Sequence, residues 1–207
     1  MNTSHVVVGI GTDVGKTVVS ALLVKLTDFT YWKPIQAGVY PNTDSERIGQ
    51  LLKGKVQLKK ELHIFNTPAS PHLAASIDGV ELKPSDFLLK EELEGHIIEG
   101  AGGICVPLNN HGLTYLDVLE MWQLPAVVVS MHYLGSINHT LLTLNSLQQR
   151  NVPIKGVVFV GEENTSTESV IKLHYPRLKY HRVNKSLIIN EDFLEEEVLC
   201  WKLNENW

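Results

Sequence analysis

Gly9-Ile10-Gly11-Thr12-Asp13-Val14-Gly15-Lys16-Thr17 is the stretch whose reading decides the fold. The run His5–Val8 precedes it and a segment with helical spacing, Val18–Leu26, follows it. Strand, glycine-rich turn ending in Gly-Lys-Thr, then helix is the layout of a nucleotide phosphate loop. A polyphosphate carries several negative charges on closely spaced oxygens. Backbone N–H groups turned inward by glycines can cradle them, and the helix start adds its dipole. Lys16 can reach the outer phosphates, and the Thr17 hydroxyl can face Mg²⁺. The spacing is unusual: the common pattern has a glycine five residues before Gly15, and that position is Ile10.

The chain has 207 residues, 43% of them hydrophobic, which fits one α/β domain spanning 1–207 with a buried sheet. A formal charge of −5 argues against a nucleic-acid partner. No apolar run reaches the roughly 18–20 residues that span a bilayer, and the N-terminus enters a strand directly, so neither membrane nor secretion signal is expected. Cys105 and Cys200 stand far apart in unrelated contexts. With no disulfide framework or metal cluster implied, a reducing cytoplasm is the expected compartment. Nine histidines are scattered without metal-ligand spacing.

Apolar runs alternate with helical patterns through most of the chain, which predicts a mainly parallel sheet covered by helices. Strands are expected at His5–Ile10, Phe29–Trp32, near His96–Glu99, at Ala126–Met131, Ile154–Val160 and Lys179–Val183. Helices are expected at Gly15–Leu26, Glu46–Leu52, Leu73–Ile77, Pro84–Glu94, Leu113–Trp122, Thr140–Arg150, Thr165–Leu173 and Asp192–Leu199. Lys53–Lys60 reads as an exposed polar loop.

Lys33-Pro34-Ile35-Gln36-Ala37-Gly38 reads as a rigid turn at a strand end, the edge where open α/β sheets bind ligands. Lys33 is therefore either a solvated surface lysine or a second cation for phosphates or a developing anion. Asp44 is either the cap of the helix after it or a carboxylate for a Mg²⁺ held by Thr17. In His96-Ile97-Ile98-Glu99-Gly100-Ala101-Gly102-Gly103 an apolar strand delivers one acid into a run of small residues. Glu99 is either incidental to a tight turn or a holder of Mg²⁺ and its waters.

Taken together these residues resemble one family, the ATP-dependent dethiobiotin synthetases. The likeness runs in order through Gly9–Thr17, Tyr31-Trp32-Lys33-Pro34, Thr43-Asp44, Pro68-Ala69-Ser70-Pro71-His72, Glu99–Gly103 with Pro107-Leu108, Gln123-Leu124-Pro125, and Leu134-Gly135-Ser136-Ile137-Asn138-His139. It covers about residues 5–160 and includes the longer phosphate loop. The resemblance implies a P-loop NTPase-like three-layer α/β sandwich that uses ATP and Mg²⁺. It implies closure of 7,8-diaminononanoate with CO₂ to dethiobiotin through a carbamate and its phosphoric anhydride.

Carried over residue by residue, Lys33, Lys16 and Thr12 would be catalytic. Asp13, Val14, Gly15, Lys16, Thr17, Val18, Asp44, Glu99, Gly100, Ala101 and Gly102 would bind nucleotide. Thr17, Asp44 and Glu99 would hold Mg²⁺. Thr12, Asp13, Ala37, Leu134, Gly135 and Asn138 would contact the diamine, the last three across a homodimer interface. The pattern departs at the loop start, at Asp13 in place of a frequent Glu, at Ala37 in place of a common serine, and at Val160. That last position commonly holds an asparagine that reads adenine, and Asn164 is the candidate substitute. Two other readings stay open: another phosphate-loop enzyme of amidoligase or kinase type, and a non-catalytic partition or regulatory protein. Partition ATPases usually carry a further lysine early in the loop, and none lies between Gly9 and Gly15.

Overall fold

The computed structural model describes residues 3–89 and 93–203. Its centre is β1 (His5–Gly9), with β6 (His96–Gly103) on one side and β7 (Ala126–Met131) on the other, both parallel to it. Beyond β6 lie β2 (Thr30–Trp32) and β4 (Leu58–Lys59), and beyond β7 lie β8 (Ile154–Val160) and β9 (Tyr180–Val183). The seven strands run in the order β4-β2-β6-β1-β7-β8-β9. Every ladder in this sheet is parallel. A parallel sheet needs both faces covered, and its strands read as continuous apolar runs for that reason. Val6–Val8, Ile97–Ile98, Ala126–Val129 and Val157–Phe159 are all buried.

The covering helices are α1 (Lys16–Thr27), α2 (Asp44–Leu51), α3 (Pro71–Ile77), α4 (Tyr115–Trp122), α5 (Ser136–Gln149), α6 (Thr165–His174) and α7 (Glu191–Leu203). Helix α1 packs on α2 and α7, and α5 packs on α6. No helix among the described residues is long and apolar enough to cross a membrane. The product is the α/β sandwich expected, a parallel sheet between layers of helices.

Four local expectations are corrected. Lys33–Gly38 is not a turn throughout: after Pro34 the chain forms β3 (Ile35–Ala37), paired with β5 (His63–Phe65) in a separate two-stranded parallel sheet. The Pro34 carbonyl accepts from Leu62 and His63 N–H at 2.9 and 3.1 Å, which brings the two segments together. Lys53–Lys60 contains β4, a two-residue edge whose polar neighbours suit an exposed margin. Helix α5 starts at Ser136, four residues earlier than the spacing suggests, because Gly135 at φ 100° makes the turn that launches it.

The helix expected over 84–94 is a single 3₁₀ turn, Pro84–Phe87, followed by extended Leu88. Residues 90–92 of that expectation lie outside the described residues. Phe87 is buried, and its carbonyl accepts from Trp122 Nε1 at 2.7 Å, which pins the turn to α4. Trp122→Phe would keep most of the ring but leave that buried carbonyl without a partner. The expected loss is about 1–3 kcal/mol of unfolding free energy, measured by urea denaturation of both proteins. An unchanged midpoint would show that the turn is held by packing alone.

Candidate active site at the carboxyl edge of the sheet

The phosphate loop leaves β1 and enters α1 with Gly15 at the N-cap, φ 96°. A Cβ at Gly15 would also stand 3.1 Å from Val160 Cγ1, so the position demands glycine on two counts. Asp13, at φ 55°, and Thr12 are exposed on the loop. Lys16 is folded back over it, its Nζ donating to the Gly11 carbonyl at 2.8 Å. Burial, and then the neighbouring Lys33 cation, push the Lys16 ammonium down to about 8.

The Gly-rich end of β6 runs beside the loop. Gly9 is in register with Gly103, and a Cβ at Gly102 would stand 3.8 Å from Thr12 Oγ1. Gly100 is buried and Ala101 half-buried, so the backbone of 100–103 forms a second smooth wall. Val14 is buried, its side chain close to Gly9 and Gly11, and Val18 is half-buried on α1.

Lys33 is a buried cation, not a surface lysine. Its Nζ lies 2.8 Å from Asp44 Oδ2 and 3.1 Å from Glu99 Oε1, and it donates to the Gly100 carbonyl at 3.0 Å. An ammonium has three donors, and here all three are engaged. Burial alone would lower its pKa, but the Glu99 and Asp44 carboxylates outweigh burial and hold it above the ordinary lysine value. Burial likewise works to raise Asp44, and the Lys33 charge outweighs it and holds that carboxyl below the usual range.

Asp44 is not the helix cap. Thr43 caps α2, accepting from Glu46 N–H at 3.2 Å, while Glu46 accepts from Thr43 N–H at 2.7 Å. Asp44 opens the first turn, and its carboxylate faces the site, where Lys33 and Thr17 engage it. Thr17 Oγ1 bridges the two acids, 3.2 Å from Asp44 Oδ1 and 3.0 Å from Glu99 Oε1. Among the described residues, no group of three or more His, Cys, Asp or Glu side chains could hold a metal. One hydroxyl and two carboxylates, all hard oxygen donors, fit Mg²⁺ bound together with nucleotide phosphates, the way that ion is usually held.

Three supporting residues were not found by reading the sequence. Tyr31 donates its hydroxyl to Glu99 Oε2 at 3.0 Å. Tyr115 is fully buried in the same region, its hydroxyl without a partner. Burial, then the charge of Glu99, push both phenols upward, so both remain protonated. Gln36 accepts from Asp44 N–H at 3.0 Å and donates to the Gly38 carbonyl at 2.7 Å, fixing where α2 begins.

Not every expected residue joins this cluster. Ala37 sits half-buried on β3. Leu134, Gly135 and Asn138 are exposed at the start of α5, on the same sheet edge but outside the Lys33 cluster of their own chain. Val160 packs on Gly15, and Asn164 spends its Oδ1 on capping α6, accepting from Thr167 N–H at 3.0 Å.

Residues 3–193 match a family described as an AAA domain. Over 180 residues the chain is 43% identical to the ATP-dependent dethiobiotin synthetase of Brucella ovis, covering 86% of this chain and 84% of that one. The chain belongs to the dethiobiotin synthetase family. The homologous enzyme of Brucella abortus is 42% identical over the same span. Solved structures with a like fold include a ParA family ATPase from Chlorobium tepidum, TM-score 0.53, 14% identical, covering 97% of this chain and 90% of that one. A putative plasmid partition protein from Borrelia burgdorferi bound to AMPPNP gives 0.55 at 11% identity, covering 99% and 100%. These distant likenesses speak to the fold alone. Family membership makes the chain an ATP-dependent ligase of the synthetase type.

A low Lys16 pKa has a consequence for pH. Between about 8 and 10.5 the unfolded chain keeps this proton while the free folded protein loses it, so this group adds stability as pH rises through that window. A phosphate on Lys16 favours the charged form and reverses the shift. ATP-analogue binding at pH 8.5–9 is therefore expected to take up a proton (about that pH, from the shifted group). Calorimetry in two buffers of different ionisation enthalpy reads the uptake, which Lys16→Met should abolish. Buffer-independent heats would mean that Lys16 is already charged before nucleotide binds.

Proposed function

We propose that this chain, acting as a single domain and as a homodimer in the cytoplasm, closes the urea ring of dethiobiotin from 7,8-diaminononanoate, CO₂ and ATP. The observation that carries the reading is the buried Lys33 ammonium held between Asp44 and Glu99 beside the phosphate loop. In the proposed sequence one substrate amine adds to CO₂, forms a C–N bond, sheds a proton and becomes a carbamate. A carbamate oxygen displaces ADP from the γ-phosphorus and gives a carbamic-phosphoric anhydride. The second amine attacks the anhydride carbonyl, phosphate leaves, and the ring closes.

Each step creates or moves negative charge on oxygen, so the contribution of the protein is positioning and electrostatics. Lys16 neutralises nucleotide phosphate. Thr12 and Asp13, exposed on the loop, face the diamine and carbamate. Thr17, Asp44 and Glu99 would hold Mg²⁺, which supplies positive charge against the phosphate oxygens. Lys33, buried beside the same two carboxylates, would place its charge toward the carbamate and the transferring phosphoryl group. Leu134, Gly135 and Asn138, exposed in one chain, would meet the diamine in the partner's site.

A group that acts mainly on the transition state lowers turnover while leaving ground-state binding nearly intact. Lys33→Gln is expected to keep affinity for a non-hydrolysable ATP analogue within a few-fold while turnover falls by about a hundredfold or more. Calorimetric titration beside single-turnover kinetics decides it. Weakened analogue binding with chemistry untouched would make Lys33 a nucleotide clamp and overturn the assignment.

Val160 offers no amide to adenine. GTP and CTP are therefore expected to support turnover over KM within about tenfold of ATP, the effect of one missing discriminating contact. Strict preference for ATP in that ratio would mean that another residue reads the base, with Asn164 the first to test.

A further inference from the structure

The order of the strands gives a bound nucleotide a direction. The phosphate loop follows β1, and the Lys33–Asp44–Glu99 cluster belongs to the β2 and β6 side. A nucleotide whose terminal phosphate lies at that cluster carries its base the other way, over the ends of β7 and β8. Val160 touches the phosphate loop there, through Gly15. From Val160 the chain passes into α6 through Gly161-Glu162-Glu163-Asn164.

Side chains outside this loop hold both its ends. Arg182, on β9, donates Nη1 to the Gly161 carbonyl at 3.1 Å and Nη2 to Glu168 Oε1. Glu168 Oε1 also accepts from Asn164 N–H at 3.2 Å, the other end of the loop. His132 Nε2 lies 3.1 Å from the same oxygen, and Lys172 Nζ is 3.3 Å from Oε2. Glu168 is only 2% exposed. A carboxylate this buried is expensive unless its oxygens are satisfied, and here four donors satisfy them. Burial pushes its pKa up, but the hydrogen bond from Arg182 and those from Asn164 and His132 outweigh burial and hold it low.

His132 follows β7 directly and stacks on Phe159 with ring centres 5.4 Å apart. The carboxylate of Glu168 therefore ties together the two loops, after β7 and after β8, that lie on the base side of the phosphate loop. Neither Glu168 nor Arg182 belongs to the phosphate or Mg²⁺ cluster.

We propose that Glu168 and Arg182 are positioning residues for the base end of the nucleotide site, holding the loop 161–164 in the shape that receives the base. With Val160 apolar, the loop 161–164 is what the β8 end offers to a base. The proposal rests on the ATP reading given above.

The test compares two ligands that share phosphates and differ in the base. Affinities for a non-hydrolysable ATP analogue and for inorganic tripolyphosphate, each with Mg²⁺, are measured by calorimetry. Wild type, Glu168→Gln and Arg182→Lys are compared. Lysine keeps the charge facing Glu168 but lacks the fork that reaches Glu168 and Gly161 together. Both variants are expected to bind the ATP analogue about tenfold more weakly, the effect of a lost charge-assisted hydrogen bond. Tripolyphosphate affinity should stay within about twofold, because separated sites act independently. Equal losses for both ligands, or no loss for either, would overturn the proposal. A wild type that binds neither ligand would instead overturn the ATP reading. Where Glu168→Gln fails to give a cooperative thermal transition, the Arg182→Lys comparison decides.

Discussion

A buried ammonium is tolerated only where opposite charge and hydrogen-bond acceptors surround it, and Lys33 meets that condition in one place. Its two carboxylates come from α2 and β6, and its third acceptor is the backbone of β6 itself. The chain must therefore bring the end of β2, the start of α2 and the middle of β6 together before the charge is compensated. The adjacency of β2 and β6 in the sheet supplies one of these junctions. Gln36, by accepting from Asp44 N–H, supplies the other. Removing either carboxylate would leave the ammonium underpaired, so the geometry at this point is more constrained than hydrophobic packing alone would make it.

The same constraint explains the supporting tyrosine. Glu99 has two oxygens and both are out of water. Oε1 is shared by Lys33 and Thr17, and Oε2 receives the Tyr31 hydroxyl. With Oε2 fixed by a neutral donor, the negative charge is presented on the side that faces the phosphate loop. A hydroxyl at Tyr31 does this without adding a further charge to a cluster that already balances two cations, Lys16 and Lys33, against two anions. The fold places that balance at the carboxyl edge of a parallel sheet, where helix starts and strand ends leave polar backbone groups available.

Much of this was legible in the sequence where the signal is local. The stretch from His5 to Leu26 carries strand, turn and helix in one continuous pattern, and the structure follows it closely. Glu99 was legible as an acid at the end of an apolar strand, and Lys33 as a cation fixed by proline. Their mutual pairing was not, because they stand far apart in the chain and nothing in the spacing joins them. Tyr31 read only as part of the strand Phe29–Trp32, because the polar end of a buried phenol has no pattern of its own. Two- and three-residue strands such as β4 and β5 are too short for periodicity to show, and Asp44 resembled a cap because Thr43 beside it is one.

The two ends of the site obey different physics. At the phosphate end the loop, Lys16, Thr17 and the two acids form a charged cluster, and under the proposed function its internal bonds would be exchanged for bonds to a metal and phosphates. Lys33 has no spare donor, and Thr17 already contacts both carboxylates, so the unliganded cluster is closed on itself. At the β8 end Val160 makes an apolar contact with Gly15, and the polar hub around Glu168 stands behind the loop. Under the proposed function its bonds would stay in place when a base binds. Under that function, a self-neutralising cluster at one end and a fixed frame at the other would direct rearrangement to the place where bonds are made and broken, and would leave the opposite end to hold the nucleotide still.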